Sequence, residues 1–258
     1  MKGPSVTARV VAQVRATLAR EPCATGDGEG AAELAASLKG HVPMTATLRA
    51  YLAGRTLFFD GVVVAATRTP PSQVVILGAG YDDRALRFRT PGVRFYEVDH
   101  PATQHDKVER LKQRQVARDD ITFVPTDLEG DPALSRLGPL LSPDEPTYII
   151  CEAVAPYLTM STILRLIDGV SQLPGRERVL AIELPTNPTT PAGRFALATI
   201  RLGARLTGEH IRTIFDSRDA AEQLLTNAGW RILASKTGAD LNMRAATSDI
   251  TTYLTAKI

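Results

Sequence analysis

Residues 73–78 (QVVILG) form an apolar run of strand length, rich in β-branched side chains and followed directly by a glycine turn. Such a run is typical of a central parallel strand that helices cover on both faces. Further strand candidates are RFYEVD (94–99), ITFVPT (121–126), TYIICEAV (147–154), RVLAIEL (178–184), WRILASKT (230–237) and ITTYLTAKI (250–258). Helical stretches, notably 102–117, 160–173 and 218–228, alternate with them and predict a doubly wound, Rossmann-like α/β sheet. We expect the last two strands to pair antiparallel at one edge, because no room for a helix remains between them.

The sequence before the first strand predicts a helical cap. Residues 1–22 carry apolar side chains at helical spacing, with a proline as the stop. The segment CATGDGEG (23–30) is small, polar and glycine-rich, which is typical of a mobile loop. Residues 31–66 predict two or three short helices with breaks near Gly40 and Gly54.

A long connection interrupts the rest of the chain. The segment LPTNPTTP (184–191) cannot extend its strand, because its prolines remove backbone donors. It opens a connection of about 30 residues, and connections of this length at the carboxyl end of a sheet often form lids or substrate walls. We therefore predict a helical cap over residues 1–66 and a Rossmann-like core over 67–258, with a lid-like insertion at about 185–216.

Composition excludes several classes of protein. Lys and Arg total 30 against 28 Asp and Glu, and this balance disfavours a nucleic-acid partner or a polybasic membrane anchor. The basic stretch 105–118 is typical of a solvated helix face, with a nucleic-acid surface as the alternative. Two cysteines are too few for a disulfide scaffold. We expect a cytoplasmic protein without a membrane partner, because the N-terminus lacks the continuous apolar core of a secretory signal and no apolar stretch approaches about 20 residues.

The sharpest local feature is VVILGAGYDDR (74–84). Gly78 and Gly80 follow a strand directly, and glycines at that point allow a tight turn and close approach of a ligand to the backbone. An ordinary strand-to-helix turn is the alternative. The third position of a dinucleotide fingerprint is Asp83, not glycine. Its charge at the start of a helix would repel a pyrophosphate, so the turn disfavours NAD and FAD.

Three further strand ends carry acids. Asp99 can accept hydrogen bonds from both ribose hydroxyls of an adenosyl group, helped by Glu97 on the same strand face; the alternative is a helix N-cap. Asp127 can accept from an adenine amino group and the Leu128 amide can contact the ring, or Asp127 is an ordinary loop acid. Glu152 lies at an apolar strand end, where a buried carboxylate requires a partner. That partner is either a bound cofactor or a structural salt bridge.

Together these motifs resemble the leucine carboxyl methyltransferase family and its bacterial small-molecule relatives. The resemblance is carried by QVVILGAGYDDRALRF (73–88), FYEVDHP (95–101), FVPTDLEGD (123–131) and ICEAVAPYL (150–158), with SVTARVVA (5–12) and RTLFFD (55–60) before them. It implies the class I methyltransferase fold and S-adenosylmethionine as cofactor. The implied contacts are Gly78, Ala79 and Gly80 at the amino-acid portion, Asp99 at the ribose, Asp127 and Leu128 at the adenine, Glu152 near the amine, and Arg55 at the carboxylate.

Two departures from the family pattern bear on the substrate. Residues 23–38 lack the Asp-Pro signature of many bacterial relatives, so we expect a differently shaped cap. The tail is too short for the extra elements that recognise a phosphatase subunit. A small-molecule substrate is therefore expected, and a natural product is an analogy from similar relatives.

Methyl transfer from a sulfonium is an in-line displacement, in which holding the geometry can supply roughly 7–11 kcal/mol. A carboxylate acceptor needs no base, whereas a phenol, with a pKa of about 10, would benefit from one. Tyr157 and His210 are the candidate catalytic side chains, with core packing and polar surface as their alternatives. We expect no metal, because the sequence shows no cluster with metal-ligand spacing.

The hypothesis is an O-methyltransferase that acts on a carboxyl or hydroxyl group of a small metabolite. A nicotinamide-dependent oxidoreductase would share the fold, but Asp83 argues against it. A module that binds the cofactor without catalysis is the other alternative, and only turnover separates it from an enzyme.

Overall fold

A computed structural model describes residues 6–38, 45–131, 134–206, 208–244 and 247–258. Its seven strands form one sheet in the order β3-β2-β1-β4-β5-β7-β6. The strands are β1 (Ser72–Leu77), β2 (Val93–Asp99), β3 (Ile121–Pro125), β4 (Thr147–Cys151), β5 (Arg178–Pro185), β6 (Arg231–Thr237) and β7 (Thr251–Lys257). Strands β1 to β5 are parallel, and β7 runs antiparallel to both β5 and β6. The predicted doubly wound sheet and the antiparallel late pair are confirmed.

Helices cover both faces of this sheet. They are α1 (Val6–Arg15), α2 (Gly28–Ser37), α3 (Ala46–Thr67), α4 (Arg84–Arg87), α5 (Pro101–Gln113), α6 (Met160–Ser171), α7 (Pro191–Leu206) and α8 (Arg218–Asn227). One apolar core packs helices α6 and α8 against one face of the sheet. A second packs the helices from α2 through α5 against the other face. Every residue of β1 is buried, as expected of a strand between two helical layers.

Three predictions about the N-terminal helices are wrong in part. The first helix ends at Arg15, well before Pro22. The predicted loop 23–30 stops at Asp27, because the Asp27 carboxylate accepts a hydrogen bond from the Gly30 amide (2.7 Å) and caps α2. Helix α3 continues through Gly54. A Cβ there would lie 2.9 Å from the Leu241 carbonyl oxygen, so this glycine permits close packing and does not break the helix.

The remaining predicted break, near Gly40, and the histidine at position 41 lie outside the described residues. Within the described ranges, no helix combines the length and apolarity needed to cross a membrane. The carboxyl ends of the parallel strands meet at one edge of the sheet, where open α/β sheets bind ligands.

Candidate functional site

A cavity of about 640 Å³ opens at the carboxyl ends of β1, β2 and β4. The glycine turn after β1, Asp99 and residues 152–154 form its base. Helix α1 contributes Thr7, Ala8, Val11 and Arg15, so the N-terminal cap forms part of the wall. Residues 208–210 and 212, which follow α7, line the other side.

The glycine turn requires glycine for two reasons. Gly78 and Gly80 have φ angles of +63° and +51°, in the left-handed region that other residues rarely adopt. A Cβ on Gly78 would also lie 2.4 Å from Cγ2 of Val154. The Gly80 amide donates a hydrogen bond to Oδ2 of Asp99, which ties the turn to the end of β2. Gly78, Ala79 and Gly80 therefore lie in the cavity wall as one unit with Asp99.

Asp99 is held by backbone donors on both of its oxygens. Oδ1 accepts from the His100 amide (2.5 Å) and Oδ2 from the Gly80 amide. Burial raises the pKa of Asp99, and these two hydrogen bonds oppose that effect. A carboxylate has about four acceptor sites, so the fixed Asp99 retains acceptors for a ligand.

Glu97 does not assist Asp99 in the way that the strand pattern predicts. Its side chain is buried and accepts a hydrogen bond from Nζ of Lys107 (2.6 Å), a residue of α5. Burial raises the pKa of Glu97 to about 7. Glu97 is not among the residues that line the cavity, so the prediction of a shared ligand contact is wrong.

Glu152 lies both in the cavity wall and in a buried ion network. Its Oε1 accepts from Nη2 of Arg15 and Nε of Arg55 (both 3.0 Å), and its Oε2 accepts from Nη1 of Arg84 (2.7 Å). These arginines hold the pKa of Glu152 well below its ordinary value, although burial acts in the opposite direction. Asp82 shares the network through Arg15 and Arg84. The structural salt bridge considered for Glu152 is therefore present.

Two of the three guanidinium nitrogens of Arg55 contact carboxylates of the described residues. Its Nε donates to Glu152 and its Nη1 lies 3.7 Å from Oε1 of Glu183. Its Nη2 is buried and has no hydrogen-bond partner among the described residues. Arg55 lies on α3 and lines the cavity. A guanidinium with an unpaired nitrogen can bind a carboxylate.

The neighbouring acids Asp82 and Asp83 lie in different surroundings. Asp83 precedes α4, as expected, but its carboxylate pairs with Arg20 (2.5 Å) and its charge is offset. Its predicted repulsion of a pyrophosphate is therefore wrong for this residue. Asp82 lines the cavity and pairs with Arg84. Sequence reasoning missed Arg15 and Arg84, and the available signal was the need of several buried acids for cations.

The predicted adenine residues lie at the margin of the site. Asp127 is exposed and accepts a hydrogen bond from the Glu129 amide (3.1 Å). The Leu128 side chain is buried in the apolar core beside α6. Of this segment, Glu129 lines the cavity, whereas Asp127 and Leu128 do not. Their contact with an adenine remains a prediction.

Both candidate catalytic side chains, Tyr157 and His210, line the cavity. Tyr157 is half-buried, and burial together with the charge of Glu209 raises its pKa. His210 is exposed and lines the cavity. The Arg212 amide donates to the Pro156 carbonyl (2.8 Å), which joins the end of the insertion to the Tyr157 turn. No group of three potential metal ligands occurs among the described residues.

Comparisons with known proteins identify the family of the chain. The sequence model of the leucine carboxyl methyltransferase family matches residues 9–171. A Mycobacterium avium protein, provisionally named an S-adenosyl-L-methionine-dependent methyltransferase, is 33% identical over 187 residues, which are 70% of this chain and 59% of that protein. A Parafrankia protein with the same provisional name is 37% identical over 138 residues, which are 53% of this chain and 44% of that protein. The chain thus spans less than two thirds of the length of these relatives.

Solved structures show the same fold. A provisionally named methyltransferase from Thermobifida fusca superimposes with a TM-score of 0.61 at 16% identity, covering 98% of this chain and 94% of that one. Magnesium protoporphyrin IX methyltransferase from Synechocystis, solved with bound SAH, gives a TM-score of 0.54 at 14% identity, covering 90% and 94%. The sheet and its helices therefore have the class I methyltransferase fold.

Proposed function

The chain belongs to the leucine carboxyl methyltransferase family, and from this premise we propose that it is an S-adenosylmethionine-dependent O-methyltransferase of small molecules. The observation that carries the proposal is the wall of the cavity. There the fixed Asp99 carboxylate and the glycine turn lie in the same cavity as Arg55, whose Nη2 is unpaired.

The chemistry of these groups fits the cofactor. The Arg55 Nη2 suits its carboxylate, and the free acceptor sites of Asp99 suit its ribose hydroxyls. Glu152 carries the negative charge that suits its ammonium group. Gly78, Ala79 and Gly80 line the cavity with at most one methyl group among them, which leaves the backbone accessible to the amino-acid portion. Asp127 and Leu128 remain the proposed adenine contacts.

The ion network favours a zwitterionic ligand over a simple anion. Among the described residues, the connected network holds five arginines and five carboxylates: Arg15, Arg20, Arg55, Arg84 and Arg87 with Asp60, Asp82, Asp83, Glu152 and Glu183. With all of them ionised, these charges balance. An amino-acid group carries one charge of each sign. Both charges can pair with an opposite charge of the network, and the net charge of the region stays the same. A pyrophosphate would add at least two negative charges to the same region.

The residues on the Tyr157 side would hold the acceptor. The bound cofactor supplies an electrophilic methyl group, and the protein aligns the acceptor oxygen with it and excludes water. Because its pKa is raised, Tyr157 is neutral near pH 7 and donates or accepts a hydrogen bond rather than acting as a base. A carboxylate acceptor requires no proton transfer. A hydroxyl acceptor would give its proton to a base, for which His210 is the candidate.

The size of the cavity supports a small acceptor. Its volume of about 640 Å³ lies in the range of roughly 300–1,000 Å³ that small-molecule sites have. Residues 208–210 and 212 line one side of this cavity.

Turnover with methyl-labelled S-adenosylmethionine tests the proposal. The purified protein is incubated with a panel of small carboxylic acids and phenols, and products are treated with mild alkali, which releases methanol from methyl esters but not from aryl ethers. We expect labelled product with at least one class, and loss of product in Asp99→Ala. Cofactor binding without transfer to either class would favour the non-catalytic alternative and contradict the proposed activity.

A further inference from the structure

The carboxylate of Glu183, near the end of β5, is buried and is a member of the ion network, but it is not among the residues that line the cavity. Its Oε1 accepts a hydrogen bond from the Ala153 amide (3.0 Å) and lies 3.7 Å from Nη1 of Arg55. Its Oε2 has no hydrogen-bond partner among the described residues. Only 3% of the Glu183 side chain is exposed.

Both contacts of Glu183 lead to the cavity wall. Ala153 lines the cavity and has a φ angle of +56°, which a residue other than glycine rarely adopts. Arg55 also lines the cavity and lies between two carboxylates, Glu152 and Glu183. Glu183 therefore fixes the residue after Glu152 and the guanidinium beside it.

A ligand carboxylate at the unpaired Nη2 would be the third carboxylate on the same guanidinium. Glu152 keeps its charge through Arg15 and Arg84, whereas the only ion pair of Glu183 among the described residues is with Arg55. When like charges share one buried site, the least stabilised carboxylate takes up a proton. Its unpartnered Oε2 is the oxygen at which that proton can reside.

We propose that Glu183 is a positioning residue for Arg55 and Ala153, and that it takes up a proton when the carboxylate of the cofactor binds Arg55. The inference rests on the cofactor site proposed above and adds a pH dependence to it. Cofactor binding becomes coupled to proton uptake.

The groups around Glu183 do not compete for that proton near pH 7. They come from α3, β4 and the turn after it, α4 and β7: Tyr51, Arg55, Cys151, Glu152, Tyr157, Arg84 and Tyr253. The tyrosine pKa values are raised, that of Cys151 is raised to about 12, and that of Glu152 is lowered. The arginines stay charged. Burial and the charge of Glu152 raise the pKa of Glu183 to about 7, against the attraction of Arg55.

Titration calorimetry with S-adenosylhomocysteine at pH 7.0, in buffers of different ionisation enthalpy, measures the proton uptake. A Glu183 pKa of about 7 means that half of the free protein is already protonated, so we expect uptake of about half a proton. 5′-Methylthioadenosine, which lacks the amino-acid group, should bind without this uptake. It also reports any contribution from Glu97 near the ribose end.

Glu183→Gln mimics the protonated side chain and can still accept from the Ala153 amide. Its proton uptake at pH 7.0 should therefore fall to near zero. Between pH 7 and pH 8, loss of the proton from Glu183 should raise the wild-type dissociation constant about fivefold. The dissociation constant of Glu183→Gln should not show this rise. Glu183→Leu removes the acceptor and should weaken binding at both pH values, which separates the positioning role from the proton.

Binding of S-adenosylhomocysteine by the wild type with no proton uptake, or with the same uptake in Glu183→Gln, would overturn this inference alone. Absence of any binding by the wild type would overturn the proposed cofactor site, and this inference with it.

Discussion

Replacing Glu152 with glutamine is the most informative change to the ion network. Glu152 accepts from Arg15, Arg55 and Arg84 at 2.7–3.0 Å, and only 6% of its side chain is exposed. Glu152→Gln keeps the shape but removes the charge that three buried guanidinium groups share. Breaking a buried ion pair by removing one partner costs about 3–5 kcal/mol, because the remaining charge is left uncompensated.

Thermal unfolding measures this cost. For a chain of this length, each kcal/mol shifts the Tm by roughly 2–4 °C, so Glu152→Gln should lower the Tm by about 6–20 °C. Glu129→Gln is the matched control, since Glu129 also lines the cavity but pairs with Arg212 at the surface, where 36% and 47% of the two side chains are exposed. An exposed pair contributes about 1 kcal/mol or less. Equal shifts in the two variants would refute the stabilising role of the buried network.

Three further predictions follow from single features. Gly78→Ala should lower both the Tm and the affinity for S-adenosylhomocysteine, because the φ of residue 78 is +63° and the new Cβ would lie 2.4 Å from Val154. Its control is Gly61→Ala in α3, where the new Cβ meets open space and should raise the Tm slightly. Because its pKa is lowered in the folded state, Glu152 contributes its full stabilisation at pH values above its ordinary pKa of 4.5, and this contribution shrinks as the pH falls. The wild-type Tm should therefore drop more between pH 5 and pH 3 than the Tm of Glu152→Gln. Tyr157→Phe should lower kcat/KM by less than tenfold and leave the pH profile unshifted, because the phenol is neutral throughout; a shifted profile would assign it a role as base.

The strands were predictable because parallel, doubly covered strands leave a strong local signal. Residues 74–77 are all apolar, and β1 is buried along its whole length. The helices before β1 were less predictable, because their ends depend on side-chain caps and distant contacts. Asp27 starts α2 inside a glycine-rich segment, and Gly54 packs against the Leu241 carbonyl instead of ending α3.

The residues of the site also differ in how far the sequence predicts them. Residues at strand ends, such as Gly78, Asp99 and Glu152, were predictable because topology brings strand ends together. Arg55 was predicted only from the family resemblance, since nothing in the sequence of its helix indicates that it faces a cavity. Arg15 and Glu183 could not be predicted, because their partners lie on elements far away in sequence.

The N-terminal helices contribute charged residues to the site. Arg15 of α1 pairs with Glu152 and Asp82, and Arg20 pairs with Asp60 and Asp83. The segment 1–66 predicted as a cap therefore supplies both a wall of the cavity and cations for its acids.

Isothermal titration with S-adenosylmethionine, S-adenosylhomocysteine and NADH tests the cofactor assignment most directly. Asp99→Ala is the test variant, and Asp119→Ala, which changes an exposed aspartate away from the cavity lining, is its control. Removal of two hydrogen bonds to a charged group, each about 1.5–3 kcal/mol, predicts a loss of roughly two to four orders of magnitude in affinity for the adenosyl ligands. We expect the wild type and Asp119→Ala to bind both adenosyl ligands and not NADH. Binding of NADH alone, or adenosyl affinity unchanged in a folded Asp99→Ala, would contradict the account.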